Sequence, residues 1–411
     1  MTTSPKRQQE LDHLRNHQFD LVVIGGGITG AGVALDAASR GLDVALIERH
    51  DFASGTSSKS TKLIHGGLRY LKNLEIGLVR EVGLERAVVH DLAPHLVRPE
   101  KMLLPLVEGG SLGKLSTSMA LWVYDFLADV EGDDKRVMLT KEETMAYEPL
   151  VRTDILKGGG FYAEYRTDDA RLTIENIKTA EQQGATALNY VEAVDFEYDD
   201  DQKINAVVCT DRFTGEALTI RTKHVISSTG PWVDDLRKKD KSMTNRGVFL
   251  SKGVHIVVSR ERLPLQNACY FDVEDGRMLF AIPRLRCTYI GTTDTPYKGD
   301  PNAIPTYRED VEYLLQGVNA IFPTVDLQLE DVESSWAGVR PLIFEEGKSA
   351  GEMSRKDEIF ESDSGLLSIA GGKLTGYRKM AERVVDRLGK QRQAEGQDLQ
   401  KTTTKDIILS G

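Results

Sequence analysis

Residues 19–48 constrain this chain more than any other stretch. An apolar segment, Leu21-Val22-Val23-Ile24, runs into Gly25-Gly26-Gly27-Ile28-Thr29-Gly30, then an apolar-periodic segment, Gly41, a second apolar run and Glu48. A short, continuous, β-branched run is what a strand buried on both faces presents. Gly25, Gly27 and Gly30 match the G-x-G-x-x-G spacing of a strand-to-helix turn. The first glycine permits the tight turn, the second lets backbone approach a pyrophosphate, and the third lets helix and strand pack closely. Val33, Ala34, Ala37 and Ala38 share one face of the helix that follows, Gly41 stops it, and 43–47 form the next strand. Glu48 stands 18 residues beyond Gly30, where a carboxylate meets a ribose hydroxyl. The unit predicts a dinucleotide held at a helix N-terminus. It does not separate NAD from FAD.

The chain has 411 residues and a net charge of −11. That length buries large cores and predicts two domains. The acidic balance argues against nucleic acid as a partner, because a phosphate backbone demands a basic face. It also makes any local basic cluster more telling. Cys209, Cys269 and Cys287 lack metal or redox spacing and read as buried thiols of a reducing compartment, so no metal centre is expected. Residues 1–18 are polar and charged, without the apolar core of a secretion signal. No apolar stretch is long enough to span a bilayer. The expectation is a cytoplasmic protein that can still sit on a membrane surface.

Beyond the first unit, residues 51–70 form a long loop rich in hydroxyls and glycines with an aromatic-basic end, placed where a cofactor's ribityl chain and ring would run. The spacing predicts helices over 74–97, 112–127, 141–147, 172–183 and 308–322; that over 112–127 reads as core-facing, with an interfacial position on a bilayer as the alternative. A meander is expected over 190–226, with strands at 191–198, 204–210 and 218–221, followed by an apolar strand ending at Thr229-Gly230. Alternating strands at 255–258, 278–282 and 289–291 mark a change to an antiparallel sheet. A short strand at 366–370 then turns through Gly371-Gly372-Lys373-Leu374-Thr375-Gly376 into a last helix. A second strand–glycine–helix unit so far from the first suits a long, two-ended cofactor, which favours FAD.

Several motifs together resemble the FAD-dependent, quinone-linked (aerobic) glycerol-3-phosphate dehydrogenases of the Bacillus type. They are Gly25–Gly30 with Ala31-Gly32, Thr56-Ser57-Ser58, Lys62-Leu63-Ile64-His65-Gly66-Gly67-Leu68-Arg69-Tyr70-Leu71 and Tyr165-Arg166-Thr167-Asp168-Asp169-Ala170-Arg171-Leu172. The set continues with Thr229-Gly230-Pro231-Trp232, Gly291-Thr292-Thr293-Asp294-Thr295, Gly338-Val339-Arg340-Pro341-Leu342, Ser354-Arg355-Lys356-Asp357 and Gly371-Gly372-Lys373-Leu374-Thr375. The resemblance implies an α/β fold: a Rossmann-like FAD-binding domain of the glutathione-reductase/D-amino-acid-oxidase type, with a second α+β domain on an antiparallel sheet. The expected division gives 19–104, 155–246 and 335–390 to the FAD-binding domain and 105–154 and 247–334 to the substrate domain. Residues 391–411 are expected to be a linker toward a C-terminal helical domain.

The resemblance further implies sn-glycerol 3-phosphate as substrate, oxidised at C2 to dihydroxyacetone phosphate by hydride transfer to N5 of FAD, with quinone as acceptor. It implies peripheral contact with the cytoplasmic membrane, and a homodimer is possible. A dianionic substrate in an acidic protein needs a basic pocket; Arg69, Tyr70, Arg340, Arg355 and Lys373 are the candidates, since arginine's fork suits phosphate oxygens. His255 is the first candidate for proton acceptor, at the start of a strand; His65 is the second, and Arg340 could instead hold the C2 oxygen. Cofactor contacts are expected from Gly25, Gly27, Gly30, Glu48, Thr56, Ser57, Lys62, Gly230, Gly371, Gly372 and Thr375, the last as a helix N-cap. Three alternatives stay open at this level: an oxidase passing electrons to oxygen, an amine or amino-acid oxidase, and a flavin-binding module without catalysis.

Overall fold

The computed structural model describes residues 4–65, 76–110, 136–344 and 356–411. Helix α1 (Pro5–Asn16) starts at Ser4, whose hydroxyl accepts from the Arg7 amide. β1 (Gln18–Ile24), α2 (Ile28–Ser39) and β2 (Val44–Glu48) make the expected βαβ unit. β3 (Leu63–Ile64), α3 (Ile76–Leu92), β4 (Arg98–Val107), β5 (Val137–Leu139), α4 (Lys141–Tyr147), β6 (Leu156–Arg166) and α5 (Asp169–Gln182) follow. Next come β7 (Thr186–Asn189), the meander β8 (Val191–Tyr198), β9 (Ile204–Asp211) and β10 (Ala217–Ser227), and α6 (Val233–Lys239). The second half holds β11 (Val248–Ser259), β12 (Ala268–Asp272), β13 (Met278–Arg284), β14 (Cys287–Gly291), β15 (Thr295–Pro296), α7 (Arg308–Ile321), β16 (Val332–Ile343), β17 (Asp357–Glu361), β18 (Leu367–Gly371) and α8 (Tyr377–Ala394). The helix expected over 112–127 lies outside the described residues.

Among the described residues the strands form two sheets. The first runs β17-β18-β10-β1-β2-β7, with β9 on β10 and β8 on β9. Its central pairs β10–β1, β1–β2 and β10–β18 are parallel. Both faces are covered, as the apolar run of β1 requires. Leu21 and Val23 join the core shared with α2, α5 and α8, while Val22 and Ile24 join the one shared with α1 and the meander. The second sheet runs β15-β11-β14-β13-β12-β4-β6-β3, with β16 on β11 and β5 on β6, and packs one face on α7. No helix among the described residues is long and apolar enough to cross a membrane.

Three expectations change here. Residues 218–221 and the apolar strand after them are one element, β10: its first half pairs antiparallel with β9 and its second half parallel with β1. Nothing in Arg221-Thr222-Lys223 breaks the alternation, since Thr222 is buried and Lys223 reaches out to Asp20 at 2.8 Å. Sheet membership also departs from the expected division, because β3, most of β4, β6 and most of β16 fall in segments assigned to the FAD-binding part but pair in the second sheet. Pairing partners distant in sequence decide this: β4 lies along β6, and β16 along β11. Finally, residues 402–410, within the segment expected to be a linker, are docked on the first core. The Leu409 amide donates to Leu92 O at 2.9 Å, its side chain enters the first core, and the Ser410 amide donates to Thr179 Oγ1 at 2.9 Å.

Candidate active site

The carboxyl ends of β1, β2, β10 and β18 open on one cleft of about 470 Å³ whose opposite wall comes from the second sheet. That is where open parallel sheets place their ligands. Gly25, Gly27, Glu48, Thr56, Ser57, His65, Gly230, Arg340, Gly371, Gly372, Lys373 and Thr375 all line it. Residues expected at the site but separated by more than 300 positions therefore meet. Arg69, Tyr70 and Arg355 lie outside the described residues.

The first glycine turn is as tight as its spacing implies. Gly25 has φ +111°, and a Cβ there would lie 2.7 Å from Ser228 O. A Cβ on Gly30 would lie 1.8 Å from Gly25 O, so Gly30 acts through packing and not by lining the cleft. Among the described residues a Cβ on Gly27 would meet only the Ser57 side chain, Oγ at 3.0 Å and Cβ at 4.0 Å, and would otherwise project into the cradle. Ser57 Oγ in turn accepts from the Ile28 amide at 2.9 Å, at the N-terminus of α2. Glu48 accepts from the Gly26 amide and the His50 amide, both at 2.8 Å, which fixes its carboxylate at the end of β2. At the far turn, Gly371 and Gly372 take φ +79° and +77°; side chains there would strike Lys356 O and the Met380 sulfur. This long, glycine-lined cradle, with helix N-terminal amides and a carboxylate at one end, fits FAD.

Thr375 is a correction. It sits inside the turn Leu374–Gly376 and donates to His65 O at 3.1 Å, while Gly376 occupies the N-cap of α8. The hydroxyl thus ties the second glycine turn to the loop after β3. Lys62 is another. It does not line the cleft, because its ammonium is drawn 2.7 Å from the fully buried carboxylate of Asp169 and 3.2 Å from Ser58 O. Asp169 also accepts from Ser60 Oγ at 2.6 Å and from the Ser60 amide at 3.1 Å. The hydroxyl-rich loop is therefore pinned to the start of α5, leaving Thr56, Ser57 and Thr61 on the cleft. Thr56 Oγ1 donates to Val339 O at 2.7 Å, joining the loop to β16.

His255 is likewise not where the sequence suggested. It lies inside β11, opposite Gly291 and Trp336, and not at the strand's start. It is 1% exposed, stacked on the Trp336 indole with centroids 4.7 Å apart, and does not line the cleft. Its Nε2 is 3.0 Å from Thr61 Oγ1, which does. Burial first, then the positive charges of Arg340 and Lys62, hold its pKa well below the usual imidazole value, so the ring is neutral. Arg340 projects from β16 into the cleft and donates to Thr292 Oγ1 at 3.1 Å and Thr293 O at 3.3 Å.

Sequence reasoning passed over several wall residues. Arg49 lies 4.2 Å over the Trp232 ring, and both line the cleft near Glu48. Arg277, Asp294 and Phe280 line the side contributed by the second sheet. Trp232 and Asp294 stand inside quoted motifs, whereas nothing in the local pattern distinguishes Arg277 from a surface arginine.

The profile of the FAD dependent oxidoreductase (DAO) family matches residues 20–378. Aerobic glycerol-3-phosphate dehydrogenase of Staphylococcus aureus (strain USA300) is 53% identical over 408 residues, which is 99% of this chain and 73% of that protein. The chain belongs to the FAD-dependent oxidoreductases, in the family of the aerobic glycerol-3-phosphate dehydrogenases. The structure of glycerol-3-phosphate dehydrogenase from Bacillus halodurans, complexed with FAD, superposes with a TM-score of 0.82 at 47% identity, over 98% of this chain and 70% of that one. L-α-glycerophosphate oxidase from Mycoplasma pneumoniae shares the fold, with a TM-score of 0.74 at 18% identity over 94% of this chain and 97% of that one. As a member of this family, the protein is an FAD-dependent oxidoreductase.

Proposed function

We propose that the protein oxidises sn-glycerol 3-phosphate to dihydroxyacetone phosphate and passes the electrons to a quinone, at the cytoplasmic face of the cell membrane. The first sheet would carry the cofactor and the second would roof the substrate. One observation supports this most: Arg340 and Lys373 share a cleft with the glycine cradle, in a chain over half identical to a glycerol-3-phosphate dehydrogenase. The two cations would offset the phosphate dianion, with Arg69, Tyr70 and Arg355 completing the set. Bound FAD supplies the two-electron acceptor for the C2 hydrogen. The proton of the C2 hydroxyl would leave toward neutral His255 through Thr61 Oγ1, with His65 the other acceptor in the cleft wall.

Anaerobic bleaching of the protein's flavin by glycerol 3-phosphate tests the substrate, and a flavin that stays oxidised refutes it, leaving a flavin-binding module. Quinone reduction measured against peroxide release then decides the acceptor. His255→Gln should lower the limiting bleaching rate by about 100-fold or more with FAD content unchanged. Wild-type turnover would move the proton role to His65 or water. Arg355→Ala should weaken productive substrate binding by ~2–5 kcal/mol, the cost of removing one partner from a desolvated charge pair. Unchanged half-saturation would remove Arg355 from the phosphate site.

A further inference from the structure

Arg340 is held more tightly than a surface arginine on a strand end. Ser251 lies directly opposite it on β11, so the two share a face, and Gly253 follows two residues along on that same face. The residue between, Lys252, points the other way: its ammonium is buried 2.6 Å from Asp310 and 4.3 Å from the Tyr307 ring centroid. The missing side chain of Gly253 leaves a seat for the guanidinium. A Cβ built there would stand 2.6 Å from Arg340 Nη2, 2.8 Å from Nη1 and 2.7 Å from Thr292 Oγ1. The backbone of Gly253 needs no left-handed conformation, so space alone accounts for glycine here.

Asp294 closes the third side. Its Oδ1 lies 3.6 Å from Arg340 Nη1 and accepts from Ser251 Oγ, whose residue is fully buried. A carboxylate lining a cleft for a dianion would repel the substrate unless its charge were directed elsewhere. Here it is directed at Arg340, with Ser251 fixing its orientation.

We propose that Gly253, Asp294 and Ser251 are positioning residues that seat the Arg340 guanidinium in one orientation toward an oxyanion of the substrate. The assignment rests on the substrate reading above. Arg340→Ala, Asp294→Asn and Gly253→Ala, and each of the last two combined with Arg340→Ala, are to be purified as holoenzymes. FAD content, limiting bleaching rate and half-saturating glycerol 3-phosphate are then measured anaerobically. Asp294→Asn and Gly253→Ala should each keep their flavin and lose about tenfold or more in the ratio of rate to half-saturation. In the Arg340→Ala background each should change that ratio by less than about twofold, because residues that act through one group are not additive. General structural damage would instead multiply with the Arg340→Ala loss. Multiplicative losses, a silent Asp294→Asn or a silent Arg340→Ala overturn the seat; if Gly253→Ala does not fold, the Asp294→Asn pair still decides. A wild-type flavin that glycerol 3-phosphate fails to bleach overturns the substrate reading itself, which separates the two failures.

Discussion

His255 is a histidine kept neutral by where it lies. Its ring is stacked on Trp336, its Nε2 meets Thr61, and its buried Nδ1 has no hydrogen-bond partner among the described residues. Protonation would place a charge in that setting beside Arg340 and Lys62, so the folded pKa is depressed. With no substrate dianion in the cleft, the unfolded chain therefore binds a proton below about pH 6.5 that the folded chain does not. Stability from this group is fully present above the unfolded pKa and falls as pH drops below it. The slope approaches about 1.4 kcal/mol per pH unit for one proton. His224, also depressed by burial, acts in the same direction. Urea unfolding at pH 7.5 and 5.5 should show lower stability at the acid pH. The difference should shrink in His255→Gln, and an unchanged difference would assign it to His224 and other groups.

At the scale of elements, α2 is placed by what its glycines lack. Gly30 leaves no room for a methyl against Gly25 O and Ser228 Oγ, and a Cβ on Gly32 would lie 3.0 Å from the Tyr377 ring of α8. Gly30→Ala must push α2 off β1 and deform the cradle, costing about 1–3 kcal/mol or more as overpacking does. The expected product is colourless protein with a lower melting temperature, and a fully yellow preparation would contradict the packing. α8 is anchored by Arg378, whose guanidinium bonds to buried Glu85 of α3 and, through Nη1, to Glu382 at 3.1 Å. Arg378→Ala strands the Glu85 carboxylate, an expected loss of about 3–5 kcal/mol in chemical denaturation.

Over the whole molecule, the docked residues 402–410 join parts of the first core that the sequence separates widely. Thr404 receives Arg378 Nη1 at 3.3 Å, and Thr402 Oγ1 donates to Asp36 of α2. Leu409 lies 4% exposed among residues of α3 and α5. Leu409→Ala should cost about 2 kcal/mol or more, the lower end for truncating a buried leucine. A denaturation midpoint unchanged within error would mean that the segment rests on the surface without contributing.

The βαβ unit, the meander, the amphipathic helix α7 and the second glycine turn were legible because periodicity and glycine spacing are local signals, each contained in a few consecutive residues. The same locality made Gly25, Gly27, Glu48, Gly371 and Gly372 readable as a cradle. Long-range pairing was not readable: nothing within 98–107, 156–166 or 332–343 says which sheet will accept a strand, because the partner's register decides it. The placing of charges was equally out of reach, since a lysine or an arginine has the same letter whether it faces substrate or a carboxylate. Lys62 is drawn to Asp169, Lys252 to Asp310, and Arg340 to a turn from another strand. The amino-acid order determined the chemistry this protein can carry; folding determined which cations reach the cleft, because only three-dimensional neighbours can neutralise a charge or leave it for the substrate.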